Sequence, residues 1–143
     1  MSSPRQLLWL LDTNVLSEPV RPRPDVAVMA QLKLHGEVVA VPAPVWHELR
    51  YGWLRLPEGK RKDDIGHYLR NVVASLPMLA YDDTAASLHA EQRVAAEQAG
   101  RPRPFGDGQI AAIAVTHGLT LVTRNVKDFQ DVAGLRVVDW FAA

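Results

Sequence analysis

Short runs rich in apolar residues alternate along this chain with longer stretches in which apolar positions recur every three or four residues. The first kind, at 7–11, 38–41, 78–81, 119–123 and 135–138, reads as strands covered on both faces, as in a parallel sheet. The second kind predicts helices over 25–35, 44–56, 59–75, 82–99 and 107–117, with a shorter one over 15–18. Strands that alternate with helices imply right-handed crossovers, so the expected fold class is α/β: a three-layer α/β/α domain around a mostly parallel sheet. No internal repeat, linker or composition shift divides the sequence, and one domain over 1–143 is expected.

Local signals place the boundaries. Asp25 and the run Asp82-Asp83-Thr84 are side chains that cap helix starts. Gly36, Gly100 and Gly118 stand where helices should end. Prolines at 19, 22 and 24, and again at 102 and 104, mark loops that cannot be helix interior. Val28, Met29 and Leu32 are the expected buried side of the helix after Asp25. Val45, Leu49, Trp53 and Leu56 draw one stripe on the next helix, and Glu48 borders it. Ile65, Leu69, Val72 and Leu76 do the same for 59–75, a helix that opens on Lys60-Arg61-Lys62. A basic start opposes the helix dipole, and the run reads first as a solvated face. Ile110, Ile113, Ala114 and His117 share one face of the last helix. Arg124 to Phe129 reads as a turn or short helix.

Composition narrows the class. A chain of 143 residues with 48% hydrophobic content suits a globular domain, and no segment approaches a membrane span. The sixteen basic and sixteen acidic residues balance, so net charge points to no nucleic-acid partner and any such binding must come from local patches. With no cysteine there is no disulfide and no thiolate zinc site, which fits a cytoplasmic location. The histidines at 35, 47, 67, 89 and 117 never pair at i, i+4 on one helix, so a histidine metal cage is not expected and surface or edge positions are.

The chemistry lies in how the strands end. Leu7-Leu8-Trp9-Leu10-Leu11 stops at Asp12-Thr13-Asn14, and in open α/β sheets ligands sit beyond the carboxyl ends of strands. Glu48 falls in the first turns of the helix after the second strand, and Thr123 and Asn125 fall at or just past the end of the fourth. Asp107 opens the helix leading into that strand and joins the same rim if this helix starts there. Taken singly, Asp12 and Asp107 are equally well read as helix caps and Glu48 as an exposed helix acid. Together they place three carboxylates, an amide and a hydroxyl at one edge. Such carboxylates raise one another's pKa unless a cation offsets them, and oxygen-only donors suit a hard ion such as Mg²⁺ or Mn²⁺.

At these residues the sequence resembles PIN-domain ribonucleases, and among them the VapC-like toxins of bacterial type II toxin–antitoxin pairs. Leu11-Asp12-Thr13-Asn14-Val15-Leu16-Ser17 is similar to that family's first motif, and Glu48-Leu49-Arg50-Tyr51-Gly52 to its second. Asp107-Gly108-Gln109-Ile110-Ala111-Ala112 resembles the third, and the stretch 121–129, from Leu121 through Asn125 to Phe129, the fourth. The likeness runs in order from about residue 7 to 141. It implies a Mg²⁺- or Mn²⁺-dependent endoribonuclease in which Asp12, Glu48 and Asp107 hold the metal and activate water. Asn14 and Thr123 would orient ligands from behind. The fourth motif often carries an acid where this chain has Asn125, which brings a carbonyl ligand without charge. Asp128, three residues on, could stand in for that acid but reads first as a cap of the local turn. Arg124 beside the acids would grip a phosphate, and Arg101 and Arg103 would guide the RNA backbone.

The family further implies an RNA substrate, a homodimer and a cognate antitoxin that inserts a peptide into the active-site groove. Trp46, Trp53, Trp140 and Phe141 are candidates for such contacts, although aromatics at helical spacing more often fill a core. Two rivals stand beside this reading. A haloacid-dehalogenase-type phosphatase also begins with an apolar strand ending in Asp, but its second acid would stand at position 14, which is Asn. An inactive PIN scaffold that only binds RNA or protein is the other.

Overall fold

The computed structural model describes residues 6–142. Five strands form one sheet: β1 (Trp9–Leu11), β2 (Val39–Pro42), β3 (Met78–Leu79), β4 (Thr120–Val122) and β5 (Val137–Val138). Their spatial order is β3-β2-β1-β4-β5, and every neighbouring pair is parallel. β1 is central, with Leu10 beside Ala40 on one side and Leu121 on the other. Leu10, Leu11, Ala40, Val41, Leu121 and Val122 are all fully buried, as strands covered on both faces must be. Six helices cover the sheet: α1 (Thr13–Leu16), α2 (Val26–His35), α3 (Ala43–Leu54), α4 (Lys60–Asn71), α5 (Asp83–Gln98) and α6 (Phe105–His117). The three-layer α/β/α fold expected from the alternation is the one observed.

The predicted caps act as caps. Asp25 accepts a 3.0 Å hydrogen bond from the Val28 N–H, and Asp82 a 2.9 Å bond from the Ala85 N–H. Gly118 takes a left-handed φ of 66° at the end of α6, which a side chain would strain.

Several expectations shift. Four of the five strands are shorter than their apolar runs, because the backbone ladder spans only part of each, while β2 keeps four residues and ends one later, at Pro42. Asp12 caps α1 with its own carboxylate, so that helix begins at Thr13 rather than at 15 and ends before a 3-10 turn, Glu18–Val20. Glu18 is 4% exposed there and accepts from the Asp25 N–H at 3.2 Å. The helix predicted over 59–75 breaks after Asn71 into a second 3-10 turn, Val73–Ser75. The tighter turn advances the phase, so Val73 is fully buried while Val72, expected in the core, is 47% exposed. Met29 is likewise exposed, since α2 meets the core along the narrow line through Val28 and Leu32. His117 is exposed at the last turn of α6. The surface expectation for histidines fails at His89, which is 4% exposed. Trp140 is buried, and the Trp53 indole N–H donates to the Lys62 carbonyl at 2.9 Å while its ring packs over Gly66. Both are core and packing residues.

Candidate active site

Three of the predicted residues meet through one hydroxyl. Thr123, fully buried just past β4, donates to Asp12 Oδ2 at 2.7 Å. The Thr123 hydroxyl oxygen accepts from Asn14 Nδ2 at 3.4 Å and from the Asn125 backbone N–H at 3.1 Å. Asn14 Oδ1 in turn accepts the Arg124 backbone N–H at 3.1 Å. Asp12 itself is 8% exposed, and its Oδ1 takes the Thr13 N–H at 2.8 Å. Its backbone N–H donates to the Val122 carbonyl, which locks the end of β1 to the end of β4. The carboxylate is thus held at both oxygens before any ligand arrives. A hydroxyl carries one proton, and here that proton serves the acid.

Asp12, Thr13, Asn14 and Asn125 line an open cleft of about 830 Å³ at the carboxyl edge of the sheet, as do Glu48 and Asp107, with Thr123 behind them. Asp107 reaches that edge because the Arg101–Pro104 segment is extended and tied down. Arg103 donates from Nε to the Asp128 carbonyl at 3.2 Å and from a terminal nitrogen to Asp131 Oδ1 at 2.7 Å. α6 therefore starts beside the end of β4, two residues earlier than expected, and Asp107 sits in its first turn. Its carboxyl is held above the usual range, first by burial, then by the charges of Asp12 and Asp128, with Arg103 opposing.

Because the folded form disfavours the ionised Asp107, its contribution to stability is fully present below the ordinary carboxylate pKa and is lost as pH rises through the raised one. Asp107→Asn is therefore expected to raise the melting temperature at pH 7 and to leave it unchanged near pH 3, as thermal unfolding at the two pH values would show. Equal shifts at both would remove the charge as the cause.

Glu48 stands apart. It is on the rim of the cleft, 61% exposed at the side chain, with Oε1 3.8 Å from His47 Nδ1. Among the described residues no three acid or histidine side chains converge as a ready cage for an ion. Asp12 and Asp107 nevertheless suit one. Their donors are hard oxygens, their charges oppose each other, and Mg²⁺ commonly takes only one or two carboxylates and keeps water in its remaining positions. Asn125 lines the cleft, as does Asn14, whereas Arg124 does not. The Arg124 guanidinium lies 4.6 Å from the centre of the Phe141 ring, so it enters the site by its backbone alone. Arg103 is engaged by Asp128 and Asp131 rather than free for a strand of RNA.

The residues that sequence reasoning passed over are Tyr81, His47 and Gln109, all lining the cleft. Tyr81 stands two residues past β3, near the strand ends that singled out Asp12 and Thr123, but a lone tyrosine carries no motif.

A parallel sheet with an acidic cleft at its carboxyl edge is the frame that the PIN-domain family model matches over residues 9–135, and the chain belongs to that family. Toxin FitB of Neisseria gonorrhoeae is 39% identical to it, across 87% of this chain and 94% of that protein. The tRNA(fMet)-specific endonuclease VapC of Shigella flexneri is 32% identical, across 94% and 98%. Among solved structures, a FitAB complex bound to the IR36 DNA fragment superposes with a TM-score of 0.84 at 33% identity, covering 95% of this chain and 98% of that one. No helix among the described residues is long and apolar enough to cross a membrane.

Proposed function

We propose that this protein is a divalent-metal-dependent endoribonuclease, the toxin of a toxin–antitoxin pair, and that it hydrolyses RNA phosphodiesters in the Asp12–Asp107 cleft. The observation that carries the reading is the pre-oriented Asp12 carboxylate beside an Asp107 whose ionisation the fold opposes. A binding module gains nothing from two such acids set close together. Names among the relatives support the substrate class, since one is a tRNA-specific endonuclease and others are VapC ribonucleases. The solved toxin–antitoxin complexes among the structural neighbours support a cognate antitoxin as partner, and a homodimer is proposed with it.

In this mechanism Asp12 and Asp107 would hold the ion, with Glu48, which lines the same cleft, as a further carboxylate for it. Bound there, Mg²⁺ or Mn²⁺ supplies the Lewis acidity that sharpens water as a nucleophile and offsets charge on the phosphoryl group. Thr123 and the Thr13 N–H keep Asp12 from rotating, so little reorganisation accompanies the reaction. Asn14, pinned at both ends of its amide, holds the 123–125 turn against α1. Asn125 offers a neutral carbonyl where an acid would add charge. The water oxygen bonds to phosphorus, a phosphorus–oxygen ester bond breaks, and one strand leaves with a phosphate and the other with a hydroxyl.

Substrate class tests the reading. Purified protein with Mn²⁺ is expected to cut single-stranded RNA into discrete fragments and to leave a chromogenic phosphomonoester intact. Turnover of the monoester with RNA untouched would point to a phosphatase instead. Turnover of neither would leave the binding scaffold.

A further inference from the structure

Acid chemistry in the cleft leaves one buried group unexplained. His89, on α5, is 4% exposed, and two segments close around it, the loop after β3 and α6. Its Nδ1 shares a 2.7 Å hydrogen bond with the Tyr81 hydroxyl. The Phe105 ring meets it edge-on at 4.8 Å. Gly108 of α6 lies so near that a β-carbon there would stand 2.3 Å from Nε2. Burial holds the imidazole pKa below its usual value, with Arg93 and Arg103 acting in the same direction. The ring has no room to turn, and so it fixes the phenol.

Tyr81 itself is half-buried and lines the cleft that holds Asp12 and Asp107. Its one polar atom is spent on His89, and the two rings stand nearly perpendicular, at 75°. What remains for the cleft is an aromatic surface whose orientation is set before any ligand enters. Beside the acids, amides and hydroxyls of the cleft, the His47 imidazole and the small apolar groups of Ala43, Pro44 and Ile110, such a surface offers little to a phosphate and much to a flat heterocycle. Nucleobases stack on aromatic side chains with little regard to sequence.

We propose that Tyr81 is a stacking platform for a nucleobase of the bound strand, adjoining the phosphodiester to be cut, and that His89 is the positioning residue that holds it. The inference rests on the ribonuclease reading and deepens it, assigning the base-recognition element of the same cleft. It also accounts for the glycine at 108: α6 can carry Asp107 into the cleft only where the next residue leaves space for His89.

Equilibrium binding tests this without cleavage, using a short fluorescein-labelled single-stranded RNA and an abasic ribose-phosphate oligomer of the same length, in EDTA. Tyr81→Leu is expected to weaken the intact RNA about tenfold, the range for loss of one aromatic–base stack, and to leave the abasic oligomer unchanged. Tyr81→Phe, which keeps the ring but loses the bond by which His89 holds it, should bind the intact RNA at an affinity between those of the parent and Tyr81→Leu. An affinity equal to the parent's would overturn the positioning role of His89; thermal unfolding verifies that both variants fold. An equal loss on both oligomers would overturn the proposal, as would a loss in Tyr81→Phe matching that in Tyr81→Leu, or an intact RNA bound no better than the abasic one. Wild-type cleavage of RNA, measured separately, distinguishes failure of the platform from failure of the ribonuclease reading.

Discussion

Asp12→Asn is expected to reduce RNA cleavage by on the order of 10³-fold, the scale for removal of one preorganised charged group from a transition state, while the protein stays folded. The substitution also has a predictable structural cost. Asp12 now accepts at both oxygens, from the Thr13 N–H and from the Thr123 hydroxyl. An amide has only one oxygen. If its nitrogen faces Thr123, that hydroxyl meets a third donor and its own proton loses its acceptor; if it faces Thr13, the cap of α1 is lost. Either loss is worth about 1–2 kcal/mol. Part of it is returned, because the Asp12 charge no longer opposes ionisation of Asp107. The net expectation is a small drop in melting temperature beside a near-complete loss of cleavage, read by circular dichroism and by single-turnover rates on the same preparation. A variant with wild-type rates would remove Asp12 from the chemistry.

Gly108→Ala should be the most damaging of the conservative changes. In an open helix this substitution stabilises by about 1 kcal/mol. Here the added methyl would overlap the buried His89 ring, with 2.3 Å to Nε2 and 2.8 Å to Cδ2. The ring cannot retreat without breaking its bond to Tyr81 or pushing on Phe105. Overpacking of this kind costs about 1–3 kcal/mol, several degrees of melting temperature for a domain of this size. The alternative is for α6 to move, and Asp107 precedes Gly108 in its first turn, so cleavage should fall as well. The combined Gly108→Ala, His89→Ala variant should be less destabilised than the sum of the two singles, since neighbours in direct contact couple. A Gly108→Ala protein more stable than the parent would show that the contact is soft.

How far the sequence could be read follows from where its signals are local. The parallel sheet and the three layers were legible because five apolar runs alternate with helical periodicity, whereas the strand order was not read from that pattern. Asp12 and Thr123 were legible because each directly ends a strand. Asp107 was legible only conditionally: its place at the cleft depends on Arg103 tying an extended segment back to Asp128 and Asp131, contacts between residues 25 and more apart in the chain. Val72 was misassigned because a helix was continued through a 3-10 turn that shifts the phase. Arg124 was placed beside the acids by its position in the chain, yet the C-terminal segment supplies Phe141 as the surface its guanidinium covers. His89 had no signal in its own helix. It is buried because a glycine on another helix makes room for it, and such complementarity between distant positions is invisible to periodicity.

The central claim is that the Asp12–Asp107 cleft hydrolyses RNA with the help of a divalent cation. It is tested most directly by incubating a mixed-sequence RNA panel with purified protein freed of any copurifying partner. Mn²⁺ or Mg²⁺ is supplied, removed with EDTA and restored in excess, and Asp12→Asn is run in parallel. Discrete cuts that vanish with EDTA, return with the metal and are missing from Asp12→Asn are the expected result. Cuts that persist in EDTA, or that Asp12→Asn makes as readily as the parent, would contradict the account.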